Sequence, residues 1–261
     1  ASSSAPHADS REMVFDANGN LIEVDDGGIY RRTSPSDNTG DWFSINGNLQ
    51  VFEFHNINYD TNSDILFGGA QDNGTPQQLS TGSLVWSAVS TADGGDVAVE
   101  TTSNPGFSTR FSSFQNLGQF RRRVYDANNN LISTAAPALT VVTGGALGVQ
   151  FVTPVEANSI DGTRLLIGGG NNPYESNNQG DTIFELGGVG SVNANSIVYG
   201  GALGGVPNPD VLWVGSGANV FVRTAPGSFG VSPTNATAYP SGTVRGIVLD
   251  SDDFRIGYVI D

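Results

Sequence analysis

Three features of the 261-residue sequence predict an all-β fold of repeated four-stranded units. Helical periodicity is almost absent. Apolar residues come instead in runs of four to seven bounded by Gly, Asn, Asp and Pro, as in Asp64-Ile-Leu-Phe-Gly-Gly-Ala70 and Asp210-Val-Leu-Trp-Val-Gly-Ser216, which read as short strands. Strand starts near Glu12, His55, Asp96, Val149, Ser196 and Val244 recur every 41 to 53 residues, the period of four-stranded propeller blades. The expected fold is therefore a single β-propeller domain over residues 1–261, with five complete blades and a partial sixth. The partial blade has a first strand in 244–250 and a second in 254–260 but no outer half. The natural chain is accordingly expected to be longer, or its ring to be closed by other segments.

Second strands are the clearest: Leu21-Ile-Glu-Val24, Ile65-Leu-Phe-Gly68, Leu165-Leu-Ile-Gly168 and Val211-Leu-Trp-Val-Gly215. Their unbroken apolar runs fit strands packed on both faces. Third strands follow after short turns, as Ile29-Tyr-Arg-Arg-Thr33 and Val220-Phe-Val-Arg-Thr224. Fourth strands are announced by a Ser/Thr, polar, Gly, aromatic or apolar sequence, at 36–42, 80–86, 176–183 and 224–229. That pattern marks a hairpin whose side chains bond their own backbone. Asp16-Ala-Asn-Gly-Asn20 and Asp126-Ala-Asn-Asn-Asn130 start like calcium loops but lack the distant bidentate Glu, and they read as hairpin turns.

Composition narrows the function. Every one of the 11 basic residues is Arg, and 26 acidic residues leave a net charge of −15. Such a field repels nucleic-acid backbones. No apolar run is long enough to insert into a membrane, and the absence of Cys removes disulfides, thiolate metal ligands and cysteine nucleophiles. Low charge content with abundant Ser, Thr, Asn and Gly fits an extracellular or cell-surface bacterial protein.

The hairpin at 176–183 resembles the Asp-box of sialidases, sortilin-type receptors and xyloglucanase-type glycoside hydrolases, with Asn178 where the family usually has Asp. Further resemblance is carried by Pro6-His7-Ala8-Asp9, Val14-Phe15-Asp16, Asp25-Asp26-Gly27-Gly28-Ile29-Tyr30-Arg31, Gly68-Gly69-Ala70-Gln71-Asp72-Asn73-Gly74-Thr75 and Asp93-Gly94-Gly95-Asp96. Together these look like bacterial propellers with Asp-box-type repeats, strongly over residues 6–100 and by strand spacing alone afterwards. The resemblance implies a propeller that binds a glycan or a protein, or a xyloglucanase-type glycoside hydrolase or a fragment of one. No Arg-Ile-Pro signature is present, which argues against sialidase chemistry.

In a propeller, loops entering first strands and leaving second strands open on one face. That places His7, Asp9, Asp25, Asp26, His55, Asp72, Asn73 and Asp96 on one polar rim, towards the first three blades. Later equivalents are poorer: Gln115, Asn116, Asn171, Asn172 and Asn219. Carboxylates facing one another with no Lys to compensate are expected to have raised pKa values or to hold a cation. Asp25, Asp26, Asp72 and Asp96 are the candidate ligands for a calcium ion. The alternative is that Asp25-Asp26-Gly27-Gly28 and Gln71-Asp72-Asn73-Gly74 are turns whose carboxylates cap loop amides.

A glycosidase would need two carboxyl groups across a sugar, one with a raised pKa, and Asp26 and Asp72 are the candidates. No Gly-x-Ser-x-Gly motif is present, and two histidines suggest at most one acid/base centre. A non-catalytic binder is the favoured expectation. Arg121-Arg122-Arg123 reads as the guard of an edge strand, or alternatively as an anion site, with Arg122 facing opposite to its neighbours. Trp42, Trp86 and Trp213 are expected in packing rather than as sugar platforms.

Overall fold

The computed structural model describes residues 4–49, 52–238 and 242–261. Two compact units result, residues 1–53 and 54–261. All regular structure among the described residues is β, apart from one 3-10 turn at Gln115–Leu117. No helix there is long and apolar enough to cross a membrane.

The first unit is one antiparallel sheet of β1 (Glu12–Phe15), β2 (Leu21–Asp25), β3 (Gly28–Arg32) and β4 (Trp42–Ser44), in that order. Its β1–β2 turn is closed by Asp16, whose Oδ1 accepts the amides of Asn18 and Asn20 at 2.9 and 2.8 Å while Oδ2 accepts Asn20 Nδ2 at 2.9 Å. Asp126 repeats this arrangement between β11 (Arg121–Asp126) and β12 (Leu131–Ala135), with all three bonds at 2.9 Å. Both segments are hairpin turns, as their sequences predict.

The second unit begins with a sheet of β5 (Phe54–Asp60), β6 (Ile65–Ala70), β7 (Pro76–Gln78) and β8 (Trp86–Ala88). A third sheet follows, of β9 (Ala98–Glu100), β10 (Phe107–Ser112), β11 and β12. The fourth has β14 (Val155–Ala157), β15 (Leu165–Gly168), β16 (Pro173–Ser176) and β17 (Thr182–Glu185), with β13 (Thr140–Thr143) added parallel to β17 at the outer edge. The fifth comprises β18 (Ile197–Leu203), β19 (Val206–Ser216), β20 (Asn219–Arg223) and β21 (Thr234–Ala238). Last comes the pair β22 (Gly246–Leu249) and β23 (Gly257–Ile260). Successive sheets thus follow the predicted repeat of four antiparallel strands, ending in a two-stranded one.

Three expectations are corrected. The fourth sheet's first strand begins at Val155, not near Val149, because the chain first lays down β13, which also explains the longest interval. The fourth strand of the fifth sheet comes at Thr234–Ala238, after the loop in which Phe229 packs edge-on against Phe184 at 5.5 Å. The triple arginine is not an edge guard, since β11 is hydrogen-bonded to β10 on one side and β12 on the other.

Sheet stacking in the second unit follows from strand alternation. On β15, Leu165 and Ile167 join a buried cluster with Ala98, Phe111, Phe120 and Val155, towards the third sheet. Leu166, between them, joins Ile197, Tyr199, Leu212 and Val214, towards the fifth. An apolar run buried on both faces is what the sequence of β15 requires. First strands of neighbouring sheets also touch in sequence, β5 to β9, β9 to β14, β14 to β18 and β18 to β22. The Ser176 hairpin bonds itself as expected: Asn178 Oδ1 accepts the Thr182 amide at 2.9 Å, and Ser176 Oγ accepts the Gly180 amide at 2.9 Å. The three tryptophans are half-buried; Trp86 lies 5.8 Å from Phe54, and Trp213 packs on Gly257.

Candidate functional site: a cavity lined by first strands

First strands of the second unit surround one cavity of about 540 Å³, within the roughly 300–1,000 Å³ typical of small-ligand sites. Its polar groups are His55, Asn56 and Asn58 from β5, Asp96 just before β9, Glu156 from β14 and Asn195 just before β18. Phe54, Ile57, Ile197, Val198, Ile247 and Val248 supply the apolar wall.

Asp96 is the anchor. Its Oδ1 accepts the amide of Val97 at 2.8 Å and its Oδ2 that of Val155 at 2.8 Å, so the carboxyl ties the entry of β9 to β14. The Asn56 side chain also hydrogen-bonds to it. These donors favour the anion, yet burial outweighs them and pushes the carboxyl up to about 7. Glu156 is half-buried at the cavity wall, and no described residue hydrogen-bonds to its carboxyl. Burial first, and the neighbouring Asp96 charge second, push it up to about 8. Near neutral pH, Glu156 is thus an uncharged hydrogen-bond donor.

Beside these acids sit further polar atoms without partners. His55 Nε2 and Asn56 Oδ1 are buried and make no hydrogen bond among the described residues, although such atoms are normally satisfied. The His55 ring stands edge-on to Phe151 at 6.4 Å, and its carbonyl accepts Asn195 Nδ2 at 3.4 Å. The cavity therefore offers a hydroxyl-bearing ligand a neutral acid, an amide oxygen and an imidazole nitrogen.

The eight residues predicted for a rim fall in both units. In the first, Asp26 is ion-paired with Arg11 at 3.0 Å, and Asp25 Oδ1 accepts the Gly27 amide at 2.8 Å. His7 packs against Gly27, and Asp9 is exposed with φ 63°. In the second, the Asp72 amide donates to Asp93 Oδ1 in the loop before β9 at 3.0 Å, and Asn73 Nδ2 donates to the Gln71 carbonyl within its own turn at 3.0 Å. Only His55 and Asp96 line the cavity. Asp96 is raised as expected of a rim carboxylate, but through burial rather than through repulsion from its neighbours.

Glu156, Asn56 and Asn195 were not legible as site residues. Glu156 lies in Val-Glu-Ala, a three-residue strand between two buried apolar side chains. An acid at the middle of a first strand, where strand alternation points it away from the packed face, is the signal that could have found it. No protein-family model matches the chain, and no curated protein is significantly similar to it.

Proposed function

We propose that the chain is a non-catalytic β-propeller binding module that takes an uncharged, hydroxyl-rich ligand, a glycan, in the first-strand cavity. The observation that carries this is the concentration of unpartnered polar atoms at Glu156, His55 and Asn56 in a cavity of about 540 Å³. A neutral carboxylic acid donates to a hydroxyl without the desolvation cost of a charge. The propeller itself is supported by the succession of four-stranded sheets whose first strands touch and share the cavity. Secretion to the cell surface fits the composition.

Binding is favoured over glycoside hydrolysis because the cavity's second acid, Asp96, is held by the fold rather than left free to act as base or nucleophile opposite Glu156. Both are raised, and Asp96 has each of its oxygens engaged by a main-chain amide. Asp25 and Asp96 accept main-chain amides and Asp26 is ion-paired with Arg11, an arrangement that favours a turn network over a calcium ion at these residues. A melting temperature lowered by chelator and restored by calcium would favour the ion instead.

The test is calorimetric titration with a panel of neutral oligosaccharides. Binding is expected, weakened at least tenfold by Glu156→Ala, nearly kept by Glu156→Gln at pH 6, and accompanied by no release of reducing sugar. Release of reducing sugar that is lost in Asp26→Ala or Asp72→Ala would establish the hydrolase instead.

A further inference from the structure

The arginine run 121–123 lies in a strand paired on both sides, so its charges need another explanation than protection of an edge. Alternation separates them. Arg122 turns towards the fourth sheet, where its Nη1 donates to the carbonyls of Asn178 and Gln179 at 3.2 and 3.3 Å and pairs with Asp181 at 3.5 Å. Arg121 and Arg123 turn the other way, into a cleft of about 230 Å³ bounded by the segment that follows β8.

These two guanidinium groups are uncompensated. Neither forms an ion pair with a described carboxylate, as six of the other nine arginines do (Arg11, Arg110, Arg122, Arg164, Arg223 and Arg255). Arg123 Nη1 donates to Ser112 Oγ at 2.7 Å and Nη2 reaches the Val89 carbonyl at 3.5 Å. Arg121 donates to the Phe120 carbonyl at 3.1 Å and to the Gln119 side chain. Each guanidinium carries five N–H donors, so several on each are left for a ligand. Burial and the Arg121 charge act against the charged form of Arg123, with Tyr125 opposing them, so an anion beside it would be favoured.

The cleft also holds a buried hydroxyl with no partner. Ser113 is 3% exposed, lines the cleft, and its Oγ makes no hydrogen bond among the described residues. Two forked cations lining one cleft suit an acceptor with several oxygens. We infer that Arg121, Arg123 and Ser113, with Ser112, Ser90 and Gln119 around them, form a binding site for a tetrahedral oxyanion, sulfate or phosphate, as the free ion or as a monoester. The site is separate from the first-strand cavity and does not rest on the function proposed for it. A polyanion would meet the chain's net charge of −15, whereas one small anionic group meets only the two arginines.

The experiment is thermal melting at pH 7 and constant ionic strength, with chloride replaced by inorganic sulfate, inorganic phosphate or a monosaccharide sulfate. A rise in Tm of about 2 °C or more is expected, since a ligand of the folded state stabilises it by mass action. A rise with either inorganic ion assigns the free anion, and one confined to the sugar sulfate assigns the ester; both support the site. Arg121→Gln and Arg123→Gln should each abolish the rise, while Arg122→Gln, on the opposite face, should keep it. Arg121 makes only local contacts, so Arg121→Gln retains the fold even where Arg123→Gln does not, with circular dichroism as the check. No rise with any of the three, or a rise that persists in Arg121→Gln, overturns the inference.

Discussion

Arg110 closes two hydrogen bonds on a single oxygen of Asp60, from Nε at 2.9 Å and Nη2 at 2.7 Å, with side chains only 3% and 0% exposed. The pair joins β10 to the end of β5, and hence the third sheet to the second. Ser108 donates to the same oxygen, Ser63 and Gln77 accept from the guanidinium, and the rings of Phe67 and Tyr125 lie 5.2 and 4.0 Å from it. Removing the acid would leave a buried cation with no counter-charge. Asp60→Asn should therefore cost about 3–5 kcal/mol and lower Tm by roughly 10 °C or more, measured by chemical and thermal unfolding. Arg110→Met with Asp60→Leu, which removes both charges, should recover much of that loss.

Four carboxyl groups of the second unit fall into two classes with opposite pH dependence. Asp60 and Asp210 are held below the ordinary value of 3.8 by hydrogen bonds from Ser108 and Arg110 and from Arg164, which outweigh their burial. Their stabilisation is present above about pH 4 and is lost as pH falls through their lowered native values. Asp96 and Glu156 are raised from 3.8 and 4.5 to about 7 and about 8. The native state then keeps protons that the unfolded chain releases, so stability falls as pH rises from about 4 to about 8. Tm should peak near pH 4 to 5. Glu156→Gln should raise Tm by about 2–4 °C at pH 8, equivalent to roughly 1 kcal/mol, and leave it unchanged at pH 4.

Asp16 and Asp126 close their hairpins through the same three bonds, so they should respond alike to substitution. Both carboxyls titrate below 3.8 chiefly because of the Asn20 and Asn130 side chains. Asp126→Ala removes both acceptor oxygens and so all three bonds. Asp126→Asn keeps Oδ1 for the two amides but presents an NH2 group to Asn130 Nδ2. Amide exchange at Asn128 and Asn130 should accelerate in the alanine variant and change far less in the asparagine variant. Equal exchange in the two would show that the carboxyl does not hold the turn.

How much of this was legible depended on the range of the interactions. Hairpins and second strands are local: Leu165–Gly168 has the bounds its sequence predicts, because an apolar run ended by Gly needs no knowledge of its neighbours. The Asn178 hairpin is likewise contained within eight residues. Contacts between sheets are not local. Asp60 opens a polar Asp-Thr-Asn-Ser segment that marks only a turn, yet its charged partner, Arg110, is fifty residues away. Arg121 and Arg123 could be separated from Arg122 by alternation alone, but only pairing on both sides of β11 shows that the strand is internal. Glu156 was hidden because a three-residue strand shows too little periodicity to reveal which face an acid takes.

The glycines of 68–74 and 94–95 carried much of the sequence resemblance, and their spacing in the structure gives the reason. The turn after β6 and the loop before β9 interlock by backbone: the Gly94 amide donates to the Ala70 carbonyl at 3.0 Å, the Ala70 amide to the Gly74 carbonyl at 2.9 Å, and the Gly74 amide to the Ala92 carbonyl at 2.8 Å. A methyl group at Gly69 would lie 1.7 Å from the Gly95 carbonyl oxygen, and one at Gly94 would lie 2.0 Å from that of Gly74. Main chain cannot yield as a flexible side chain can, so the loop would have to be pushed off β6. Gly69→Ala and Gly94→Ala should each destabilise by about 1–3 kcal/mol or more, the usual range for overpacking. Because the displaced loop leads directly into Asp96, both variants should also weaken the Asp96 bonds to Val97 and Val155. That second effect is separable by measurement. The Asp96 carboxyl, followed by its carbon resonance, should titrate closer to 3.8 than in the parent chain, since a loosened loop admits water to a group whose pKa is raised by burial. Gly187→Ala is the control, with no atom within 4 Å of the added methyl, and should leave both Tm and the Asp96 titration unchanged. A Gly69→Ala chain as stable as this control would mean that the two loops do not need their close approach.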